Sequence, residues 1–257
     1  MRYLEEQGEV TRVAAEVSAE LEITEITDRV TKARGKALLF ERVKGYRFPV
    51  VTNAFGSPRR VAMALGRAPD EIAARIESII SLKTPRGIAD KLKLLPRLLE
   101  LVRIPPKTVT RAPCQEVVHT DPDLSIIPVL KCWPHDAGNF ITLPLVVTKS
   151  LEDGTRNIGM YRVQIYDKAT TGMHWQIHKD GRNHFSQYAR AKKRMEAAIV
   201  IGGDPATIYA ATAPLPPGID ELLFAGFIRN KAVEIVGCKT VDLEVPAWAE
   251  FVIEGYL

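Results

Sequence analysis

The chain has 257 residues, 46% hydrophobic and 26% charged, the balance of a globular protein with one large or two ordinary domains. This composition excludes collagen, a disordered chain and a disulfide scaffold, and three cysteines without a CxxC pair fit a reducing compartment. The net charge of +4 suits either an anionic ligand or no charged partner at all. The Lys192-Lys193-Arg194 run reads as a solvated helix face, and no nucleic-acid signature accompanies it. No apolar run reaches the length of a membrane span and the N-terminus has no signal-peptide core, so the expected location is the cytoplasm.

In chain order, Ile23, Ile26 and Val30 recur at helical spacing, with Gly35 as the stop. Segments 37–43 and 48–52 read as strands around a Lys44-Gly45 turn. Pro69 opens a second helix with Asp70 and Glu71 in its first turn, and Ile72, Ile76, Ile79 and Ile80 form its buried stripe. A helix is expected over 88–102, then a proline-rich connection. This divides the chain into domains 1–115 and 116–257. The second half is β-rich. Strands are expected at 126–130, 141–147, 157–166, 173–179, 197–201, 233–236 and 251–253, with Pro128 and Pro144 marking edges or bends. Helices are expected near 184–196 and 220–230. The fold class is α+β, an N-terminal α/β domain followed by a barrel-like or sandwich-like β domain.

Three segments carry residues suited to chemistry. In Asn157-Ile158-Gly159-Met160-Tyr161-Arg162 an oxygen ligand and a permanent cation lie close in sequence. A plain strand puts Asn157 and Arg162 on opposite faces, and a bulge at Gly159 would correct that; the other reading is an ordinary strand with a surface arginine. In Met173-His174-Trp175-Gln176-Ile177-His178-Lys179, two histidines four apart share a face of a strand or a helix. They suit a metal pair, or one bonded and one exposed histidine, and there is no HExxH glutamate. In Ile219-Asp220-Glu221 a turn feeds a helix, with Asp220 as its cap. Asn, His and Glu together make an O/N/O set suited to Mg²⁺ or Mn²⁺. Gly202-Gly203-Asp204-Pro205 reads as a turn rather than a phosphate loop, and no cysteine has a neighbouring base.

The ordered set of segments resembles the UbiD family of prenylated-flavin-dependent decarboxylases. It runs from Tyr3-Leu4-Glu5, 22–26 and 48–53 through Trp133-Pro134, 136–138, Ile141-Thr142, 157–162 and 202–205. It closes with Pro217-Gly218-Ile219-Asp220-Glu221, Val245-Pro246-Ala247, Glu250 and Glu254-Gly255-Tyr256. The resemblance implies that the second domain is an incomplete split β-barrel that binds flavin. It implies prenylated FMN as cofactor and a divalent metal, Mn²⁺ or Mg²⁺, with K⁺ as a further ion. Asn157, His178 and Glu221 would ligate the metal. Ile158, Gly159, Met160, Tyr161, Arg162, Trp175, Gln176, Ile177 and Lys179 would line the cofactor with them, and Arg162 would also face the substrate carboxylate. The flavin serves as an electron sink while CO₂ leaves, and a carboxylic acid returns the proton.

The resemblance further implies an aromatic or α,β-unsaturated acid as substrate, of 4-hydroxybenzoate type as in quinone biosynthesis. A flavin prenyltransferase would supply the cofactor, and the chain would form a homo-oligomer. The family's Glu-Gly-Pro-Phe-Gly-Glu/Asp proton-donor motif does not occur before Leu257. Glu250 and Glu254 belong to the preceding strand and do not replace it. The expectation is a fragment, a truncated product or a split subunit completed by a second chain, with an exposed strand edge. A metal-dependent hydrolase using His174 and His178, without flavin, is the remaining alternative.

Overall fold

The computed structural model describes residues 1–80, 104–216 and 219–257. The helix expected over 88–102, the side chains of Ile79 and Ile80, and Pro217-Gly218 lie outside the described residues. The chain forms two compact units. One comprises Met1–Pro69, His119–Thr142 and Arg162–His174; the other comprises Asp70–Val118, Leu143–Tyr161 and Trp175–Leu257.

The first unit begins with a short helix, α1 (Arg2–Glu6), and a strand, β1 (Val10–Val17). Helix α2 (Glu22–Lys32) crosses over to β2 (Ala37–Val43), which pairs with β1 in parallel; β3 (Val50–Thr52) joins antiparallel. Parallel neighbours need such a crossover. The apolar stripe of α2 packs Ile23, Ile26 and Val30 against Val17, Leu38, Phe40 and Val43. Its outer face carries the i,i+4 pairs Glu25–Arg29 and Asp28–Lys32. The helix ends with Arg34 in the left-handed region at φ 55°, one residue before the expected Gly35 stop. Helix α3 (Pro58–Leu65) was not expected. It is capped by Ser57, has Pro58 in its first turn, and ends at Gly66 with φ 71°. The expected strand at 126–130 is instead a 3₁₀ turn (Leu124–Ile126) and a single bridge from Leu130 to Phe140, as Pro128 would dictate. Strands β5 (Asn139–Ile141), β8 (Val163–Ile165) and β9 (Thr171–Met173) form a further antiparallel sheet in the order β5-β8-β9.

In the second unit, α4 (Pro69–Ile80) starts at Pro69 as expected, and Ile72 is buried. The main sheet has the order β13-β10-β6-β7, formed by β6 (Leu145–Lys149), β7 (Arg156–Met160), β10 (Glu196–Ile201) and β13 (Phe251–Tyr256). A smaller sheet joins β4 (Lys107–Thr108), β11 (Glu234–Gly237) and β12 (Glu244–Pro246). Helices α5 (Asp180–Arg190), α6 (Pro205–Ala210) and α7 (Glu221–Arg229) complete the unit. Helix α7 buries Leu222 and Ala225 in a core with Val147, Ile158, Val200 and Ile235. Gly226 lies so close to the Ile104 carbonyl that any side chain there would collide with it. The fold is mixed α+β with open sheets and, among the described residues, no closed barrel.

Two expected strands break where chemistry was expected. The 157–166 segment divides into β7 and β8, with Tyr161 and Arg162 between them. No bulge at Gly159 brings Asn157 and Arg162 to one face; β7 keeps regular register with β6 through Gly159. The 173–179 segment is strand only to Met173; a turn then leads into α5, which starts earlier than expected. Neither strand nor helix therefore spans His174 and His178.

Candidate functional site

β7 is an edge strand whose Thr148-facing residue is Asn157 and whose Val147-facing residue is Ile158. Two of its outward amides are satisfied from elsewhere: Met160 N–H donates to the Ala211 carbonyl at 3.2 Å, and Ile158 N–H donates to Glu221 Oε2 at 3.1 Å. An edge covered in this way is not a pairing template.

Glu221 reaches Ile158 because of how α7 begins. Asp220 caps the helix, accepting from Leu222 N–H at 2.7 Å and Leu223 N–H at 3.1 Å. The other oxygen of Asp220 takes Arg156 Nη2 at 2.7 Å, while Arg156 Nη1 reaches Glu244 at 3.0 Å. Arg156 thus fastens β7 to the start of α7 and to β12. Sequence reading did not single it out, because its two partners, Asp220 and Glu244, come from distant segments. Burial, the largest cause, pushes the Glu221 carboxyl up to about 7. The nearby Asp220 and Asp180 push in the same direction, and the Ile158 N–H opposes them. A cation beside Glu221 would relieve this excess of negative charge.

Asn157 is buried, and its Nδ2 has no hydrogen-bond partner. Tyr161 is buried as well. Its hydroxyl accepts Gly181 N–H at 3.4 Å, its ring meets Trp175 edge-on at 6.1 Å, and burial pushes its phenol pKa up. Trp175 Nε1 is buried and unpartnered too. A Cβ at Gly159 would collide with the Tyr161 phenol, and one at Gly181 would lie 3.0 Å from Trp175 Nε1. The two glycines make the room in which the aromatic pair sits. The geometry therefore supplies two buried N–H donors without acceptors, Asn157 Nδ2 next to the Glu221-bonded Ile158 and Trp175 Nε1 by Tyr161. These residues fit a group that carries hydrogen-bond acceptors and a cation.

The rest of the expected set is less enclosed. Gln176, Ile177, His178 and Lys179 are exposed on the turn before α5. His178 makes no hydrogen bond or ion pair among the described residues, and no group of three or more His, Cys, Asp and Glu side chains there could hold a metal. Arg162 belongs to the first unit, where its guanidinium lies 4.9 Å over the Phe140 ring. Glu254 is committed elsewhere: it accepts from Lys239 N–H, Thr240 N–H and the Thr240 hydroxyl. A histidine that sequence reading passed over, His184, is buried and bonded through Nδ1 to Thr148 Oγ1 at 3.0 Å. Burial lowers its pKa, opposed by the nearby Asp180 and Asp153.

The family model of the 3-octaprenyl-4-hydroxybenzoate carboxy-lyase Rift-related domain matches residues 107–257, and that of the corresponding N-terminal domain matches 1–80. The chain belongs to the UbiD family. Uncharacterised proteins of Archaeoglobus fulgidus and Aquifex aeolicus are 52% and 49% identical to it. Each match covers 99% of this chain and 53% of the relative, so the chain spans about half the length of these curated relatives. Among UbiD-class structures, an evolved dimeric form of HmfF from Pelotomaculum thermopropionicum, in complex with prFMN, matches with a TM-score of 0.85 and 29% identity. That match covers 99% of this chain and 55% of HmfF. The closed form of vanillic acid decarboxylase from Sedimentibacter hydroxybenzoicus matches at 0.83 and 28%, covering 99% of this chain and 53% of that one. Among the described residues, no helix is long and apolar enough to cross a membrane.

Proposed function

We propose that this UbiD-family chain contributes the cofactor- and metal-holding part of a carboxy-lyase. The enzyme would act on aromatic or α,β-unsaturated carboxylic acids, with 4-hydroxybenzoate-type acids as the favoured class. The observation that carries this reading is the pair of buried, unpartnered donors, Asn157 Nδ2 and Trp175 Nε1, on either side of Tyr161, with the half-buried Glu221 carboxylate bonded to Ile158 next to Asn157. The prFMN complex of HmfF and the activity in the name of the vanillic acid decarboxylase support it. Prenylated FMN, when bound, supplies an electron sink for the pair left behind as CO₂ departs.

The chain's own residues then have separate tasks. Asn157, His178 and Glu221 hold Mn²⁺ or Mg²⁺, with K⁺ as an accessory ion. Trp175 donates its N–H to the cofactor, and Ile158, Gly159, Met160, Tyr161, Gln176, Ile177 and Lys179 line it. Arg162 orients the substrate carboxylate through a paired charge-assisted contact. The proton that replaces CO₂ comes from an acid outside this set. Residues 1–115 and 116–257 serve as its two functional domains, and three free thiols fit the cytoplasm as location. A flavin prenyltransferase supplies the cofactor, and the protein works as an oligomer.

The test is co-expression with a flavin prenyltransferase, followed by absorbance and mass spectrometry of the purified protein. The wild type should retain flavin, and W175A and N157A should lose it. A colourless wild type would sink the reading. A second reading is favoured by the half-length coverage of the relatives: a binding subunit that needs a partner chain carrying the proton donor. It predicts flavin retention without turnover until that partner is added.

A further inference from the structure

Helix α5 packs against β6 and β7. Its buried residues are Gly181, His184 and Gln187, three apart and so on one face. Packed helices normally bury an apolar stripe; here the two side chains of the stripe are polar, and both are bonded. His184 Nδ1 lies 3.0 Å from Thr148 Oγ1 on β6. Gln187 Oε1 accepts the Ser150 hydroxyl at 3.1 Å and the Leu151 N–H at 2.9 Å, just beyond the end of β6.

Polar contacts place a helix differently from apolar ones. Burial of apolar area is non-directional and tolerates a small slide. A hydrogen bond weakens steeply outside a narrow range of distance and angle. A slide would also leave Thr148, His184 and Gln187 buried without partners. The two contacts therefore hold α5 at one position along β6.

That position matters at the other end of the stripe. Gly181, one turn before His184, gives its N–H to the Tyr161 hydroxyl at 3.4 Å, and a Cβ there would lie 3.0 Å from Trp175 Nε1. Phe185 meets the Trp175 ring at 5.7 Å. Thr148, the anchor of His184, is the cross-strand partner of Asn157, so the two side chains share the face of the sheet that α5 covers. The His184 bond thus joins the helix that walls Tyr161 and Trp175 to the strand pair that carries Asn157.

We propose that His184 is a positioning residue: its bond to Thr148 sets the register of α5 on β6 and so holds the Tyr161–Trp175 pair in place. It touches neither cofactor nor substrate and acts through α5. Its effect on the aromatic pair is independent of any ligand, and its effect on flavin rests on the function proposed above.

The experiment compares H184L, H184N and T148V/H184L with the wild type, all carrying W133F/W248F, so that Trp175 is the one tryptophan left of three. Trp133 and Trp248 are exposed, so replacing them leaves the core intact. Asparagine offers its amide near the place of Nδ1 and serves as donor or acceptor; leucine does neither. In the flavin-free proteins, H184L should make the Trp175 emission redder and more readily quenched by acrylamide, while H184N stays near the wild type. T148V/H184L strands no polar group and should regain the urea midpoint that H184L loses, yet keep the altered emission. Both leucine variants should bind FMN about tenfold more weakly than H184N. Unchanged Trp175 emission in H184L and T148V/H184L would overturn the proposal. So would an H184N that behaves like H184L, or emission that recovers together with the urea midpoint. A wild type that binds no FMN would count against the function proposed above, and the emission of the flavin-free proteins would still decide the role of His184.

Discussion

The Glu221 carboxylate accepts the main-chain N–H of Ile158 at 3.1 Å, so the first residue of α7 is bonded to the middle of β7. Burial pushes the pKa of that carboxyl from 4.5 up to about 7. Between these values the native state keeps a proton that the unfolded chain has released. The stability this group contributes is present in full below the unfolded pKa and is lost as pH rises through the folded one. The loss is on the order of 3 kcal/mol. In urea titrations with a chelator present, the wild type should therefore lose stability from pH 5 to 8. E221Q should lack that slope and be the more stable of the two at pH 8. Parallel profiles for the two proteins would show that Glu221 ionises normally.

Arg156 is the tie that sets Glu221 in place. Its guanidinium is 15% exposed and joins Asp220 to Glu244. R156A leaves both acids without their cation and loosens the cap of α7. The partners keep some solvent, so the cost should be about 1–3 kcal/mol rather than that of a fully buried pair. R156K should recover little, because lysine cannot bond both carboxylates with one planar fork. Urea midpoints of the three proteins decide this, and an R156A midpoint equal to that of the wild type would remove Arg156 from the account.

Local signals were legible where one segment carries its own answer. The Pro69 start of α4, the Asp220 cap of α7 and the span of β2 all followed from residue types in place. Helix α3 had the same kind of signal in Ser57-Pro58 and Gly66, but its arginine-rich sequence hid the apolar face. The 157–166 and 173–179 segments read as single strands because β-propensity does not reveal where pairing stops. Tertiary context ends β7 at Met160, and Asp180 opens a helix soon after β9. For the site, residue type marked Asn157 and Glu221 as oxygen ligands alongside plainer readings as strand and helix start, and the family resemblance joined them into one set. The Arg156–Asp220–Glu244 network and the His184–Thr148 bond join residues far apart in sequence, and no periodicity reports them.

Gly159 offers a direct test of the aromatic packing. A Cβ there would run into the Tyr161 phenol, whereas one at Gly255 on β13 meets nothing within 4 Å. G159A should push Tyr161 off Gly181, change the near-ultraviolet dichroism of Tyr161 and Trp175, and cost about 1–3 kcal/mol. G255A should do neither. Equal spectra for the two variants would mean that Tyr161 can move aside freely.

In the first unit, Arg60 is the largest fully buried side chain, at 2% exposure. It bonds Glu9 at 3.1 Å and the Asn53 carbonyl at 3.2 Å, while its Nη2 has no partner. Removing one member of a buried pair strands the other, though Glu9 retains Arg59 at 3.1 Å. R60A should therefore cost about 3 kcal/mol, at the lower end for such pairs. R60M fills the same space without an unpaired donor and should cost less. In E9Q/R60M neither charge remains, and the double variant should be more stable than the sum of the two single changes predicts. A double-mutant cycle from urea unfolding measures that coupling. A coupling near zero would mean that Arg60 is held by packing and by Asn53, and that Glu9 is paired mainly with Arg59.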